Sequence, residues 1–235
     1  MQLNRNTEVE IKNVKPILRQ TPCCMPLRVL NLYAGIGGNR KLWDNVEVTA
    51  VEYTEEIAEV YKSNFKNDTV VIADAHQYLL ENFEKFDFVW SSPPCQSHSK
   101  MIRSGRNRKP RYPDMKLYEE ILFLKHNFKG KWVVENVIPY YDPLIPGKKI
   151  GRHLFWANYP LTEIEVPEFK NMMNRQNLTA KKQLQDWLGI YYEKNIYYEG
   201  NHCATQILRN CVHPVLGNHV FKCQKNVVTQ PELFG

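Results

Sequence analysis

Cys95 has the setting in this chain that best suits covalent chemistry. It ends the run Ser-Ser-Pro-Pro-Cys at residues 91–95, directly after a short apolar segment. Two prolines restrict the backbone and hold the next side chain in one direction. A free cysteine is most often a small buried hydrophobic residue. The rigid lead-in and the polar Gln-Ser-His-Ser that follows favour a nucleophile instead.

A second candidate is Glu135, which follows the apolar segment Lys-Trp-Val-Val at residues 131–134. A carboxylate at the exit of a buried segment, opposite a cysteine, is suited to acid–base catalysis. The alternative interpretation is a carboxylate that stabilises the start of a helix.

Three further places, each after an apolar segment, have residue types that suit a nucleoside. The first is a glycine-rich turn that lets backbone N–H groups approach a ligand. The second is a Glu-Tyr pair that can bind ribose hydroxyls and cover an adenine. The third is an aspartate that can accept from an adenine amino group. These residues are Tyr33, Ala34, Gly35, Ile36, Gly37 and Gly38, then Glu52 and Tyr53, then Asp74 and Ala75.

Each of these three places also has a plain structural interpretation. The turn can be a tight connection, Glu52 and Tyr53 a solvated carboxylate and a core ring, and Asp74 a helix N-cap. The turn is not a phosphate loop, because no Gly-Lys-Ser/Thr follows it. Taken together, three such features after three successive apolar segments predict a pocket for a nucleoside cofactor.

A polar and basic stretch follows the cysteine. Clusters of charge are most often solvated loops, but the position behind the nucleophile and the glycine at 105 favour a loop that grips phosphates. Such contacts give salt-sensitive affinity without sequence choice. The residues expected to contact nucleic acid are Gln96, Ser97, Lys100, Arg103, Arg106, Arg108, Lys109 and Arg111.

The elements that must position these residues alternate along the chain. Apolar runs that begin at residues 28, 47, 69, 86 and 131 predict buried strands. Residues 55–65 after Thr54, and residues 114–128 after a proposed cap at Asp114, predict helices. In the second helix the predicted apolar stripe is Met115, Tyr118, Ile121, Leu122 and Leu124. This alternation predicts an α/β fold with a mostly parallel sheet, helices on both faces and ligands beyond the carboxyl ends of the strands.

With 235 residues, one α/β domain is the simplest organisation. We expect an N-terminal extension at 1–26, a catalytic and cofactor-binding core at 27–157, a small irregular target-recognition insertion at 158–201, and a C-terminal segment at 202–235 that completes the core. The net charge of +6 suits a polyanionic partner.

The six cysteines follow no disulfide or zinc-binding spacing, so we expect free thiols and no metal site. No apolar run is long enough to cross a bilayer, and the first residues do not resemble a secretory signal. The expected location is therefore the cytoplasm, without membrane attachment.

Four segments of the chain resemble motifs of the DNA cytosine-5 methyltransferases of bacteria and phages. Residues 33–38 look like the cofactor motif of that family, residues 93–96 like its nucleophile motif, and residues 135–137 like its base-activating motif. Gly-Asn-His-Val at 217–220 is similar to the last motif, which completes the cofactor pocket. The resemblance implies a Rossmann-like fold and S-adenosylmethionine as cofactor.

The family resemblance also implies roles for individual residues. Cys95 would attack C6 of a flipped cytosine, Glu135 would act at N3, and Arg152 would stand for the paired arginines beside the base, although only one arginine is present. Pro94, Asn218 and Val220 would join the cofactor pocket. The loop behind Cys95 would close over the flipped base, and the short insertion predicts a short or relaxed recognition site.

DNA is the expected partner of a monomeric enzyme. The alternatives are methylation of an RNA such as tRNA, and an idle DNA-binding protein of the same fold, against which Cys95 and Glu135 argue. The last six residues, 230–235, resemble peptides that dock on bacterial sliding clamps. A packed or frayed tail is at least as good an interpretation of those residues.

Overall fold

The computed structural model describes residues 25–100, 112–169, 178–197 and 203–226. Within these ranges the β-branched and aromatic runs form one sheet, because such side chains pack well on a pleated surface. Its strands are β1 (Leu27–Leu32), β2 (Val46–Glu52), β3 (Thr69–Ile72), β4 (Phe88–Ser91), β5 (Lys131–Val137), β6 (Lys148–Ile150) and β7 (His153–Ala157).

The strand order is β3-β2-β1-β4-β5-β7-β6. The first five positions in this order are parallel, whereas β7 runs antiparallel to both β5 and β6. The chain reverses direction across the sheet between β1 and β4, which is the place where open α/β sheets bind ligands. In the register of β4 and β5, Ser91 lies beside Val134, so the turn that carries Cys95 and the exit of β5 meet at one edge.

Helices cover both faces of the sheet, which confirms the predicted Rossmann-like architecture. The side chains alternate along each strand: Leu30 and Val134 pack on one face with α2 and α3, while Val29 and Val133 pack on the other with α6. The helices are α1 (Glu55–Asn64), α2 (Ala75–Asn82), α3 (Lys116–Asn127), α4 (Leu178–Leu188), α5 (Gln206–Asn210) and α6 (Pro214–Cys223).

The predicted details of α3 need correction. Its buried positions include Leu117 and the charged Glu120, whereas Met115 and Leu122 are exposed. Tyr118, Ile121 and Leu124 are buried as predicted, and Leu117 and Glu120 take the places expected for Met115 and Leu122. Asp114 does not occupy the N-cap position, although its carboxylate accepts from the Lys116 backbone N–H at 3.1 Å.

The segment after β7 is more regular than expected. It contains α4, whose Leu184 and Leu188 pack against Ile36 of the glycine-rich turn and Ile57 of α1. The prediction of an irregular stretch was wrong for Leu178–Leu188. Most residues of this helix are polar, so its few apolar side chains do not form a recognisable helical pattern in the sequence. The helix α4 thus packs on the glycine-rich turn and on α1.

Two predicted features lie outside the described residues: the N-terminal extension up to residue 24 and the tail at 230–235. No helix within the described ranges is long and apolar enough to cross a membrane.

Candidate active site

The turn after β1 has a backbone that only glycine fits comfortably. Gly37 has a φ of 84°, and an added Cβ would lie 2.2 Å from Cε2 of Phe65. At Gly38 an added Cβ would lie 2.5 Å from the carbonyl oxygen of Val212, just before α6. By contrast, nothing lies within 4 Å of the Cβ position of Gly35. The turn is thus packed tightly against Phe65 at Gly37 and against Val212 at Gly38, and it is open at Gly35.

Glu52 anchors this turn from the end of β2. Its Oε2 accepts from the Gly35 backbone N–H at 2.9 Å, and its Oε1 accepts from the Thr54 N–H at 3.0 Å. Burial raises the pKa of the Glu52 carboxyl, and the backbone donors oppose that rise. The neighbouring Tyr53 is 74 % exposed, so its ring is a free apolar surface rather than a core residue.

Asp74 lies at the end of β3 and is the N-cap of α2. Its Oδ1 accepts from the Gln77 backbone N–H at 2.9 Å, in agreement with the alternative interpretation of Asp74 as a helix N-cap. Exposed Ile72 lies beside Glu52 in the register of β2 and β3, which adds an apolar surface near Tyr53.

Several residues expected to contact the cofactor are buried in the core instead. Ile36 and Val220 are 0 % exposed, and Ala34 and Ala75 are nearly so, so their side chains offer no surface to a ligand. Their predicted contacts are therefore limited to the backbone, because the turn and α6 use these side chains for packing. The hydroxyl of Tyr33 is also turned inward, to Glu120.

Glu120 is a fully buried carboxylate that joins three elements around the site. Its Oε1 accepts from the Tyr33 hydroxyl at 2.6 Å and lies 3.1 Å from Nδ1 of His76, while its Oε2 accepts from the Ser91 hydroxyl at 2.6 Å. The hydrogen bond to Glu120 is the main reason that the pKa of His76 is raised. Glu120 thereby links the ends of β1 and β4 to α2 and α3.

The turn after β4 presents Cys95 at the sheet edge. The Cys95 carbonyl accepts from the backbone N–H groups of His98 and Ser99 at 3.0 and 2.9 Å, which makes the turn compact. Asn136 at the end of β5 donates its Nδ2 to the Pro93 carbonyl at 2.9 Å and so ties the two strand exits together. Pro94 is exposed, as a residue beside a ligand pocket can be.

Cys95, Glu135 and Arg152 lie close enough for their charges to interact. Burial, and next the charge of Glu135, raise the pKa of the Cys95 thiol to about 11, while the charge of Arg152 acts in the opposite direction. The structure thus brings together the three residues expected to take part in catalysis. In this arrangement Cys95 is a neutral thiol at neutral pH.

Glu135 has a partner that the sequence did not reveal. Its Oε1 lies 2.6 Å from Nδ1 of His153 on β7, and both side chains are almost completely buried.

Arg152 has a different arrangement from the expected one. Its Nη2 donates to the carbonyl oxygens of Arg209 and Cys211, at 2.7 and 3.1 Å, at the C-terminal end of α5. A cation suits that position, because helix C-termini carry partial negative charge. Arg152 therefore connects the start of β7 to the segment that leads into α6.

The base of the basic loop is firmly held. The Ser97 hydroxyl accepts from the Asp114 backbone N–H at 3.0 Å, and the His98 carbonyl accepts from the Tyr140 N–H at 3.1 Å. Gln96 and Lys100 are exposed. The remaining predicted phosphate contacts lie outside the described residues: Arg103, Arg106, Arg108, Lys109 and Arg111.

Helix α6 returns to the glycine-rich turn, as the last motif predicted. An added Cβ at Gly217 would lie 2.5 Å from the Asn39 carbonyl oxygen, and Trp43 donates its Nε1 to the Gly217 carbonyl at 3.3 Å. The next residue, Asn218, has a buried Oδ1 with no hydrogen-bond partner among the described residues. An unpaired buried acceptor is costly, so this atom is suited to a ligand donor.

Sequence reasoning missed Glu120, His153 and Ile72. The available signal for Glu120 was a charged residue at a core position of the predicted helix. For His153 it was the position next to Arg152, and for Ile72 it was an apolar residue at a strand end. Among the described residues, no group of three or more His, Cys, Asp or Glu side chains could hold a metal ion.

Comparisons with known proteins find similarity over part of the chain. Residues 27–139 match the family model described as C-5 cytosine-specific DNA methylase. The chain is 36 % identical over 87 residues to human tRNA (cytosine(38)-C(5))-methyltransferase, a match that covers 34 % of this chain and 22 % of that enzyme. The mouse enzyme of the same name is 31 % identical over 119 residues, covering 48 % of this chain and 29 % of the relative.

The matched part of the chain thus spans less than a third of the length of these curated relatives. Among solved structures, a putative DNA modification methyltransferase encoded within an Escherichia coli prophage is 18 % identical, with a TM-score of 0.37, and covers 56 % of this chain and 46 % of that one.

Proposed function

We propose that this chain, a relative of the C-5 cytosine methyltransferases over residues 27–139, transfers a methyl group to C5 of a cytosine in a nucleic acid. The observation that carries the proposal is the meeting of Cys95 and Glu135 at neighbouring strand exits. Asn136 bonds the two exits together, and the charge of Glu135 acts on the Cys95 thiol. A nucleophile beside an acid–base group is the arrangement needed for covalent catalysis.

The residues around the first three strand ends fit S-adenosylmethionine. Glu52 would accept from ribose hydroxyls, the exposed ring of Tyr53 would cover the adenine, and Asp74 would accept from the adenine amino group. The open space at Gly35 and the unpaired Oδ1 of Asn218 are further points of fit. When bound, this cofactor supplies an electrophilic methyl group.

Cytosine C5 is a poor nucleophile, and covalent addition of Cys95 to the ring increases its reactivity. Addition of the thiolate to C6 turns C5 into an enamine-like carbon, which can accept a methyl group. Loss of the C5 proton and elimination of the Cys95 thiolate then restore the aromatic ring. This route divides one difficult substitution into easier steps.

Glu135 stabilises the charge that develops on the ring during the addition. A proton shared between its carboxyl group and cytosine N3 neutralises the electron density that reaches N3 as the sulfur adds at C6. Burial favours this role, because an electrostatic contact is stronger where water is excluded. The C6 atom is accessible only on the ring face, so the base must leave the helical stack.

Whether the nucleic acid is DNA or RNA defines two candidate substrates. The family-model match over residues 27–139 favours DNA, and the relatives that are named as tRNA methyltransferases favour RNA. The net charge of +6 and the basic run behind Cys95 support either polyanion.

The test is transfer of label from methyl-labelled S-adenosylmethionine to unmodified DNA and, in parallel, to tRNA, followed by digestion to nucleosides. We expect labelled 5-methylcytosine, as a deoxynucleoside or a ribonucleoside, and no label with Cys95→Ser. Labelled cofactor that binds without transfer to either polymer would instead identify an idle member of the fold.

A further inference from the structure

His153 and Glu135 form a buried pair beside the nucleophile. Nδ1 of His153 lies 2.6 Å from Oε1 of Glu135, and the two residues are 5 % and 6 % exposed. An ionised carboxylate only accepts hydrogen bonds, and an imidazole nitrogen can donate one. One proton therefore lies between these two atoms.

The sheet itself sets the geometry of this pair. In the antiparallel register of β5 and β7, Glu135 lies opposite Phe155, and His153 lies opposite Val137. Glu135 and His153 are consequently diagonal neighbours on the same face, within reach of long side chains. The His153 ring also packs on Phe155, with ring centroids 6.0 Å apart. Neither side chain depends on a loop for its position.

The charged and titratable groups around the pair come from two further elements. Cys95 on the turn after β4 interacts with Glu135, and Arg152 precedes His153 on the same edge. Arg152 is occupied by the carbonyl oxygens of Arg209 and Cys211. Among the described residues, His153 is thus the donor that the structure assigns to the Glu135 carboxylate.

We infer that His153 is the positioning residue that holds the proton for Glu135, which delivers it to cytosine N3 when Cys95 attacks. This inference rests on the proposed function. The pair begins as imidazolium and carboxylate, with no net charge. As the S–C6 bond forms, the C5=C6 electron pair shifts through the ring toward N3. The proton on His153 Nδ1 passes to the Glu135 carboxylate and from there to N3.

The negative charge of the attacking Cys95 thiolate ends on Glu135, beside a neutral imidazole and a neutral cytosine adduct, so charge balances. In the reverse direction, elimination of the Cys95 thiolate returns the proton from N3 to the pair. The pair thus resets itself in each cycle, without proton exchange with solvent.

The test compares His153→Asn with wild-type protein in single-turnover methylation. The Asn amide keeps a donor near the Nδ1 position but cannot transfer a proton. We expect a loss of kcat of about 10²-fold, the size typical of acid–base catalysis, with KM for the nucleic acid almost unchanged.

His126→Asn, at an exposed position on α3, is the matched control and should behave as wild type. Equal kcat for His153→Asn and wild type would overturn the inference while leaving the methyl transfer intact. Absence of transfer by wild-type protein would instead contradict the proposed function, and the inference with it.

A measurement on the free wild-type protein covers the case in which His153→Asn fails to fold. Nitrogen NMR of labelled histidines should show a proton on Nδ1 of His153 at pH 7, with a signal that moves in Glu135→Gln. A neutral His153, in either tautomer, would overturn the inference.

Discussion

At the scale of single residues, the charge state of Cys95 decides whether the free protein is reactive. A pKa of about 11 leaves a thiolate fraction on the order of 10⁻⁴ at pH 7, and the thiolate is the reactive form. Methyl transfer therefore needs the bound base, or positive charge supplied on binding, to favour the thiolate. A resting thiol also protects the nucleophile from oxidation.

The first prediction concerns alkylation of Cys95 by iodoacetamide. The rate should rise about tenfold per pH unit between pH 7 and 10, because the raised pKa keeps the thiol protonated over that range. Cys203 is an internal control. Hydrogen bonds from the Thr205 hydroxyl and from backbone N–H groups lower the pKa of the Cys203 thiol, so Cys203 should react first. Peptide mass spectrometry separates the two sites. Faster alkylation of Cys95 than of Cys203 at pH 7 would contradict the assigned charge state.

The second prediction separates the charge of Arg152 from its hydrogen bonds. Arg152→Gln removes the cation that lowers the Cys95 pKa, so the alkylation profile of Cys95 should move to higher pH. Arg152→Lys keeps the charge but loses the forked contact with the Arg209 and Cys211 carbonyls. It should therefore keep the wild-type profile and lose thermal stability. Identical profiles for all three proteins would show that Arg152 does not act on Cys95.

At the scale of elements, Glu120 joins α3 to the ends of β1 and β4. The third prediction is that Glu120→Ala lowers the free energy of unfolding by about 3 kcal/mol, because it leaves buried donors unpaired. Glu119→Ala, on the exposed side of the same helix, is the matched control and should lose less than about 1 kcal/mol. Urea unfolding measures both. Equal losses would mean that the buried network adds no stability.

The same network predicts a pH dependence of stability. The folded-state pKa of His76 is raised above its ordinary 6.5, so the protonated form stabilises the fold. This contribution is complete below about pH 6.5 and is lost as the pH rises through the raised value. Glu120→Ala should flatten the dependence in that window.

The fourth prediction concerns the contact between α6 and the glycine-rich turn. Alanine normally stabilises a helix relative to glycine by about 1 kcal/mol. Gly217→Ala should instead cost about 1–3 kcal/mol and weaken S-adenosylmethionine binding, because the new Cβ would meet the backbone of Asn39. Lys222→Ala, at an exposed position of α6, is the control. A more stable Gly217→Ala would show that the two segments are not in close contact.

Local sequence was sufficient for the five parallel strands, α1 and α3, and insufficient for α4 and for the contacts between elements. The five parallel strands and α1 follow from runs of apolar residues, and Cys95 and Glu135 stand out because strand ends share one edge. The Glu135–His153 pair depends on the register of an antiparallel strand, which no local pattern specifies. Glu120 was missed because a charge at a core position is unfavourable until its donors, from distant segments, are known. Arg152 was expected beside the base, and its binding to the end of α5 follows from tertiary packing alone.

At the scale of the whole molecule, a polyanion should be bound at the carboxyl edge of the sheet, where the basic run begins. The fifth prediction is that Arg106→Ser with Arg108→Ser reduces the slope of log K against log salt by about 2 for duplex DNA. Lys85→Ser with Lys129→Ser, at exposed positions before β4 and β5, removes equal charge from the opposite edge. That variant should change the slope far less. Equal changes would mean that binding follows net charge and not this edge.

The most direct test of the central claim is to trap the adduct of Cys95 with cytosine. Fluorine at C5 of cytosine blocks the loss of the C5 proton, so the S–C6 bond cannot be eliminated after methyl transfer. The protein should be incubated with S-adenosylmethionine and oligonucleotides, DNA or RNA, that carry 5-fluorocytosine. We expect a denaturant-stable complex, with the modified peptide attached through Cys95 and no complex with Cys95→Ser. Methylated product formed from ordinary cytosine without any such complex, or a complex through another residue, would contradict the account.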